Sequence, residues 1–493
     1  MRISRILFVL PMFGLLLGCP DPVKRQQDHV LNRIGFGPDA WSRQRIAQLG
    51  VSAYIEEQLN PSTLDDSALE AEIASLYPVT QMTYAVSRGT FNEYTGNPDT
   101  GPFVPIRDQT RAKILRCVKS KKQLEQVLTD FWYNHFNVDS GVDEGRWGFL
   151  TMERDAIRPN VFGKFETMLR AVAQNPGMLD YLDNSLNFKD GFLYLGLTRG
   201  INENYAREVM ELHTVGVDYG YTQDDVHMLA RAFTGWTIPV TPSEFPSGFQ
   251  YLSQGHDKTA KSLFNGALQL AANRGLQDGI DALHFLATQP ATAQRVATQL
   301  CQRFISEDAP PPNVIANAKQ VFLDTGGDLR EVTRTILTSA EFLSLNAENN
   351  KVKRPIQFLA SLARMAGVSD DATFASEMDG YLQLMGEGLY RAGPPTGYPE
   401  SSRFWAGEGP YIVRVKLAWM ATHGQSGFDG SQLTVTDTTP NAVVDQLSAV
   451  ILRNGIKPAT RQQLIALATS LPDTARAQEV AATLFATPEF LVH

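Results

Sequence analysis

Apolar residues recur every three or four positions along most of this chain, and that spacing constrains its fold more than any other feature. It runs through Lys121–Val138, Asn160–Ser185, Ala291–Ile305 and Asp328–Ser344. A 3.6-residue repeat marks helices that bury one face. Thr222, with Asp225 three positions on, predicts a capping box ahead of "QDDVHMLARAFTGW". "TGGD" (Thr325–Asp328) predicts a stop followed by an aspartate cap. The expected class is all-α: one large multi-helix domain over 28–493. Two stretches break the pattern. Asn92–Pro105 is Gly/Pro-rich and reads as a surface loop. Ile238–Gly266 reads as an insertion, its second half a small β-hairpin of "FQYL" and "SLF" with His256 and Asp257 near the tip. "TILTSAEFL" (Thr335–Leu343) echoes "TLFATPEFL" (Thr483–Leu491), as two similar helix ends would.

A chain of 493 residues with 43% hydrophobic and 20% charged residues has enough apolar surface to bury a large core. Its net charge of −9 lacks the basic footprint of a non-specific nucleic-acid binder. At the N-terminus, Arg2 and Arg5 precede an apolar run from Ile6 to Leu17, then Gly18 and Cys19. That run is short for a spanning helix and fits a secretory signal. "LLGC" resembles a bacterial lipobox, so 1–18 reads as a lipoprotein signal peptide, Cys19 as the lipidated residue, and 19–27 as a tether. The expected location is the cell envelope, on its periplasmic or cell-surface side, held to the membrane by the lipid. Cys117 and Cys301 are expected as buried thiols, with a disulfide between them as the alternative. No CxxC occurs, which excludes a thiolate metal cluster.

Chemistry-bearing side chains gather in three blocks. In "NENYAREVMELHTVG" (Asn202–Gly216), Glu203, Arg207 and Glu211 form an i, i+4 ladder, and Asn204 and Glu208 form a second pair. Asn202 and His213 project from the apolar side, where a polar group needs a hydrogen bond. In "DFWYNHFNV" (Asp130–Val138), Asp130, Asn134 and Asn137 share a stripe and His135 lies apart from it, near Phe131. Such a buried polar set is either a staple between helices or the lining of a site. "QGHDK" (Gln254–Lys258) places His256 and Asp257 in a turn, as metal ligands, as a base, or as a solvated loop tip. His227 is expected to face solvent. The sequence holds no HExxH, P-loop, GxGxxG or GxSxG motif.

These blocks, in this order, resemble a bacterial exported family catalogued as domain of unknown function number eighteen hundred. "HVLNRIGFGP", "FWYNHFNV", "RDAIRPNVFGKFETML", "NENYAREVMELHTVGVDYGYTQDDV", "ARAFTGW", "HDKTAKSLFNG", "TQPATAQRVATQLCQRFI" and "PPTGYPESSRFW" carry the resemblance along nearly the whole chain after the signal. It implies a large, mostly helical, exported protein and no particular reaction. It also implies an exported partner, because such proteins tend to be encoded beside a second family that resembles sulfatases and alkaline phosphatases. His135, Asn202, Glu203, Asn204, Arg207, Glu208, Glu211, His256 and Asp257 fit the family's pattern. The position of His213 is often Phe there, which demotes it as a ligand. Two departures stand out: Phe188–Ile201 lengthens the segment before "NENYARE", and "HDKTAK" lacks a glycine after His-Asp.

Two functions are consistent with these residues. One is a lipoprotein that binds or assembles with the exported partner. The other is an envelope hydrolase in which His135, Glu208, Glu211, His256 and Asp257 converge, with a divalent metal on Glu208, Glu211, His135 and His256 as one version.

Overall fold

The computed structural model describes residues 21–493 except 94–96, 98, 142–143, 242–243, 345–350 and 454. Cys19 and the signal segment therefore lie outside the described residues. The chain is mainly α-helical, as expected, with three small two-stranded antiparallel sheets among the described residues. The 27 prolines are compatible with this because many sit in a helix's first turn, where the missing N–H costs nothing. Pro22, Pro176, Pro290, Pro312, Pro355, Pro440 and Pro458 all start helices.

Local signals act where the sequence places them. Thr222 and Asp225 exchange bonds in a capping box ahead of the Gln223–Phe233 helix. Asp328 accepts from the Arg330 and Glu331 amides and starts the Leu329–Leu337 helix. The two echoing segments are both helix ends with a short following turn of helix, Ala340–Leu343 and Pro488–Leu491. Cys117 and Cys301 are buried free thiols.

Three features differ from expectation. The first helix begins at Pro22, so most of the stretch read as a tether is helical. "FQYL" and "SLF" do not pair with each other: Gln250–Tyr251 pairs back with Trp236–Thr237, and Lys261–Leu263 pairs forward with Leu268–Leu270. His256 is consequently not at a hairpin tip but fully buried between the two ribbons and the helix after them. Finally, the opening helix of "NENYARE" runs only over Asn204–Glu208 before widening into a π turn, Val209–His213. A second π turn, Met152–Ile157, follows the Gly145–Thr151 helix.

One hydrophobic core runs from Val30 to Phe490. A chain of charges is threaded through it. Lys113 reaches Asp130 (2.9 Å) and Glu153 (3.5 Å), and Glu153 also takes Arg158 (2.6 Å) and the Tyr390 hydroxyl (2.7 Å). Arg354 bridges Asp130 (3.3 Å), Glu387 and Glu400 (3.2 Å), and Glu400 takes Arg303 (3.3 Å). Buried charges persist only when paired, and each of these has an opposite neighbour.

Candidate functional site

The Gln123–His135 helix delivers Asp130 to this charge chain and Asn134 and His135 to its C-terminal end. Asn134 clamps the Pro-rich loop: its amide donates to the Tyr398 carbonyl (2.8 Å), and its oxygen accepts from the Tyr398 amide (2.7 Å). Asn137 donates to the carbonyls of Ala392 (2.8 Å) and Pro394 (2.9 Å). The loop passes so close that a Cβ on Gly397 would lie 2.4 Å from the Asn134 carbonyl oxygen, and Gly397 holds φ at +69°. The stripe of Asp130, Asn134 and Asn137 is thus a satisfied network that staples "PPTGYPE" to the helix.

That staple forms one wall of a cleft of about 260 Å³. Phe131, Asn134 and His135 line it from the helix, Leu212 from the π turn, and Thr396, Tyr398 and Glu400 from the loop. Arg295, Gln299 and Gln302 complete it from the Pro290–Phe304 helix. The π turn matters here because a widened turn leaves carbonyls without intrahelical partners. His135 Nε2 meets the His213 carbonyl (3.1 Å), and Arg295 Nε donates to the Leu212 carbonyl (3.2 Å). Imidazole and guanidinium are therefore oriented by the backbone they cap.

The electrostatics follow from this placement. Burial, with Arg295 nearby, pushes His135 down to about 3, against the bond to the His213 carbonyl. At neutral pH it is an uncharged imidazole whose Nε2 donates. Burial alone would raise Glu400, but Arg303, Arg354 and Lys351 outweigh it and hold the carboxyl at about 2. Burial also lowers Arg295, which has no carboxylate at ion-pair distance among the described residues.

The other sequence-predicted residues lie elsewhere. Asn202 accepts from the Asn204 amide (3.0 Å), and Asn204 donates to Asp183 (3.1 Å), so both serve the start of their helix. Arg207 lies between Glu203 (3.5 Å) and Glu211 (3.8 Å), and Glu203 also takes His227 (3.1 Å), so the ladder is a partly solvated lattice. Glu208 is raised above the usual carboxylate range by burial and by Glu211, against Arg207. Tyr181 and Tyr221 lie near this carboxylate pair. His256 Nδ1 faces the Thr234 carbonyl (2.9 Å), and its Nε2 faces Asp278 (3.3 Å), which also takes Lys261 (2.7 Å). Asp257 pairs with Arg231 (2.7 Å). His256 and Asp257 thus fasten the ribbons to two helices and do not join His135. Among the described residues no three His, Cys, Asp or Glu side chains gather to hold a metal ion.

Sequence reasoning missed Arg295, Gln299, Gln302, Tyr398 and Glu400. A signal existed for the first three, which form an i, i+4, i+7 polar stripe beside the apolar face of Ala293, Val296, Ala297, Leu300 and Phe304.

Comparison with curated proteins and with solved structures returns no match. The family described as "Protein of unknown function (DUF1800)" matches residues 29–492. That span takes in both halves of the cleft, and the chain belongs to this family.

Proposed function

We propose that the protein is a binding or assembly factor of the bacterial cell envelope, tethered through Cys19, whose cleft grips an acidic or amide-rich segment of an exported sulfatase- or phosphatase-like partner. One observation carries the reading. The cleft's histidine, carboxyl and phenol, His135, Glu400 and Tyr398, are held far from neutrality, whereas Arg295, with its Nε on the Leu212 carbonyl, and the amides of Gln299 and Gln302 line it. Proton transfer near neutral pH works best with a group that titrates there. Guanidinium and amide groups instead recognise carboxylates and peptide units by geometry.

The test is binding of the purified partner to the immobilised protein. Arg295→Gln and Gln299→Ala should each weaken it about tenfold, the loss of one charge-assisted contact. Both are on a partly exposed helix face, so melting should stay near that of the parent. Unchanged affinity in both variants removes the cleft from the interface.

A hydrolase reading keeps one specific observation in its favour: Glu208, raised by burial and by the neighbouring Glu211, is a carboxyl of the kind that general-acid chemistry uses. Ester or phosphate hydrolysis by the parent, lost in Glu208→Gln, would make that reading the better one.

A further inference from the structure

A separate cavity of about 380 Å³ lies where the Pro22–Arg33 and Pro355–Ala366 helices approach residues 451–453, 455, 457 and 488–492. Its lining combines apolar Met365, Ile451 and Phe490 with basic Lys353, Arg453 and Lys457. Of the two carboxylates there, Asp28 is engaged by Arg43 (3.2 Å) and Arg453 (4.0 Å), and Glu489 accepts from the Thr460 hydroxyl (2.7 Å).

Lys353 is the unusual group. Its backbone is fixed on both sides: its amide donates to the Leu491 carbonyl (2.8 Å), and its own carbonyl accepts from Arg414 (2.8 Å). The side chain is only 4% exposed, as is that of Lys351. Other buried lysines have oxygen partners: Lys113 has Asp130 (2.9 Å), Lys261 has Asp278 (2.7 Å), and Lys351 has the Gln302 carbonyl (2.9 Å). Lys353 Nζ lies 3.8 Å from the Phe490 ring centroid, with no oxygen partner among the described residues. A buried ammonium without an anion is costly, so this amine either stays neutral or meets a charge brought from outside.

We propose that this cavity binds a small organic anion with an apolar body, its carboxylate on Lys353 and Arg453 and its body against Phe490, Met365 and Ile451. The volume lies in the range of small-molecule sites. Lys457 adds positive potential, and the cation–π contact orients the amine without neutralising it. Asp28 from the first helix, Arg414 from the Glu408–Thr422 helix and His493 lie near the amine, and Arg453, Lys457 and Glu489 are the other charged groups that line the cavity. Burial and Arg414 lower the amine to about 7, against Asp28. An arriving carboxylate reverses that balance, so binding above pH 7 draws a proton onto Lys353.

Calorimetric titration of the full chain at pH 8, in two buffers of different ionisation heat, tests this with hexanoate, hexanol and inorganic phosphate. Hexanoate should bind at least about tenfold more tightly than either control. It should take up close to one proton, roughly 0.9 for a group moving from about 7 to well above 8. Lys353→Met should abolish the uptake, and Arg453→Gln, which leaves the buried amine in place, should weaken binding about tenfold. Hexanoate binding no tighter than hexanol or phosphate, binding without proton uptake, or full affinity in Arg453→Gln would each overturn the proposal.

Discussion

His213 illustrates what one misplaced polar group costs. Its ring is buried, packs edge-on to Phe136 at 5.2 Å, and leaves both nitrogens without a partner among the described residues. Its backbone carbonyl, by contrast, is used by His135. A stranded ring N–H costs about 1–3 kcal/mol. His213→Phe keeps the carbonyl and removes the orphan, so it should raise unfolding free energy by about 1–2 kcal/mol. A denaturant midpoint that falls instead would mean that the ring has a partner in solution. The apolar-side position of His213 was legible from its spacing. The role of its carbonyl was not, because no side-chain pattern encodes which carbonyl a widened turn releases. Glu400 was likewise illegible, since its partners Arg303, Arg354 and Lys351 come from two other segments of the chain.

The helices were readable because their period and caps are local, as at Thr222 and Asp328. Strand pairing was not: ladders of two or three residues carry too little alternation to specify a partner, so "FQYL" gave no sign that it pairs with Trp236–Thr237. The π turns were hidden for a related reason. A widened turn shifts the following side chains around the axis without any marker in composition. The Pro-rich loop is the element on which the cleft most depends, and Gly397 is its weakest point. Gly397→Ala places a Cβ against the Asn134 carbonyl at a φ of +69°, at a cost of about 1–3 kcal/mol. The expected result is a loop that lifts off the Gln123–His135 helix, detected as new proteolytic cleavage within 392–400 while the far helices keep their protection. Cleavage kinetics identical to those of the parent would show that the clamp tolerates the methyl group.

For the molecule as a whole, the buried histidines set a pH limit. Burial lowers His29 to about 4 and His135 to about 3, and pushes His213 and His493 well down. Below the ordinary histidine value of 6.5 the unfolded chain binds protons that the folded chain refuses. The part of the stability that depends on these histidines is therefore full above pH 6.5 and falls as pH drops toward 4. At pH 5.5 each such group costs about 1.4 kcal/mol. Melting temperature should drop clearly between pH 7.5 and 5.5, and His29→Gln should flatten the slope. An equal melting temperature at both values would refute the assignment of neutral imidazoles. His493 also joins the far ends of the fold. The Arg33 guanidinium donates to its carbonyl (3.0 Å) across 460 positions, His493 Nδ1 lies 3.1 Å from the Asn32 carbonyl, and Val352 and Val492 form a β-bridge. A contact spanning 460 positions can close only after the intervening chain has collapsed, so the Arg33 guanidinium stays hydrated until the segment around His493 docks against the first helix, which makes that docking a late step of folding.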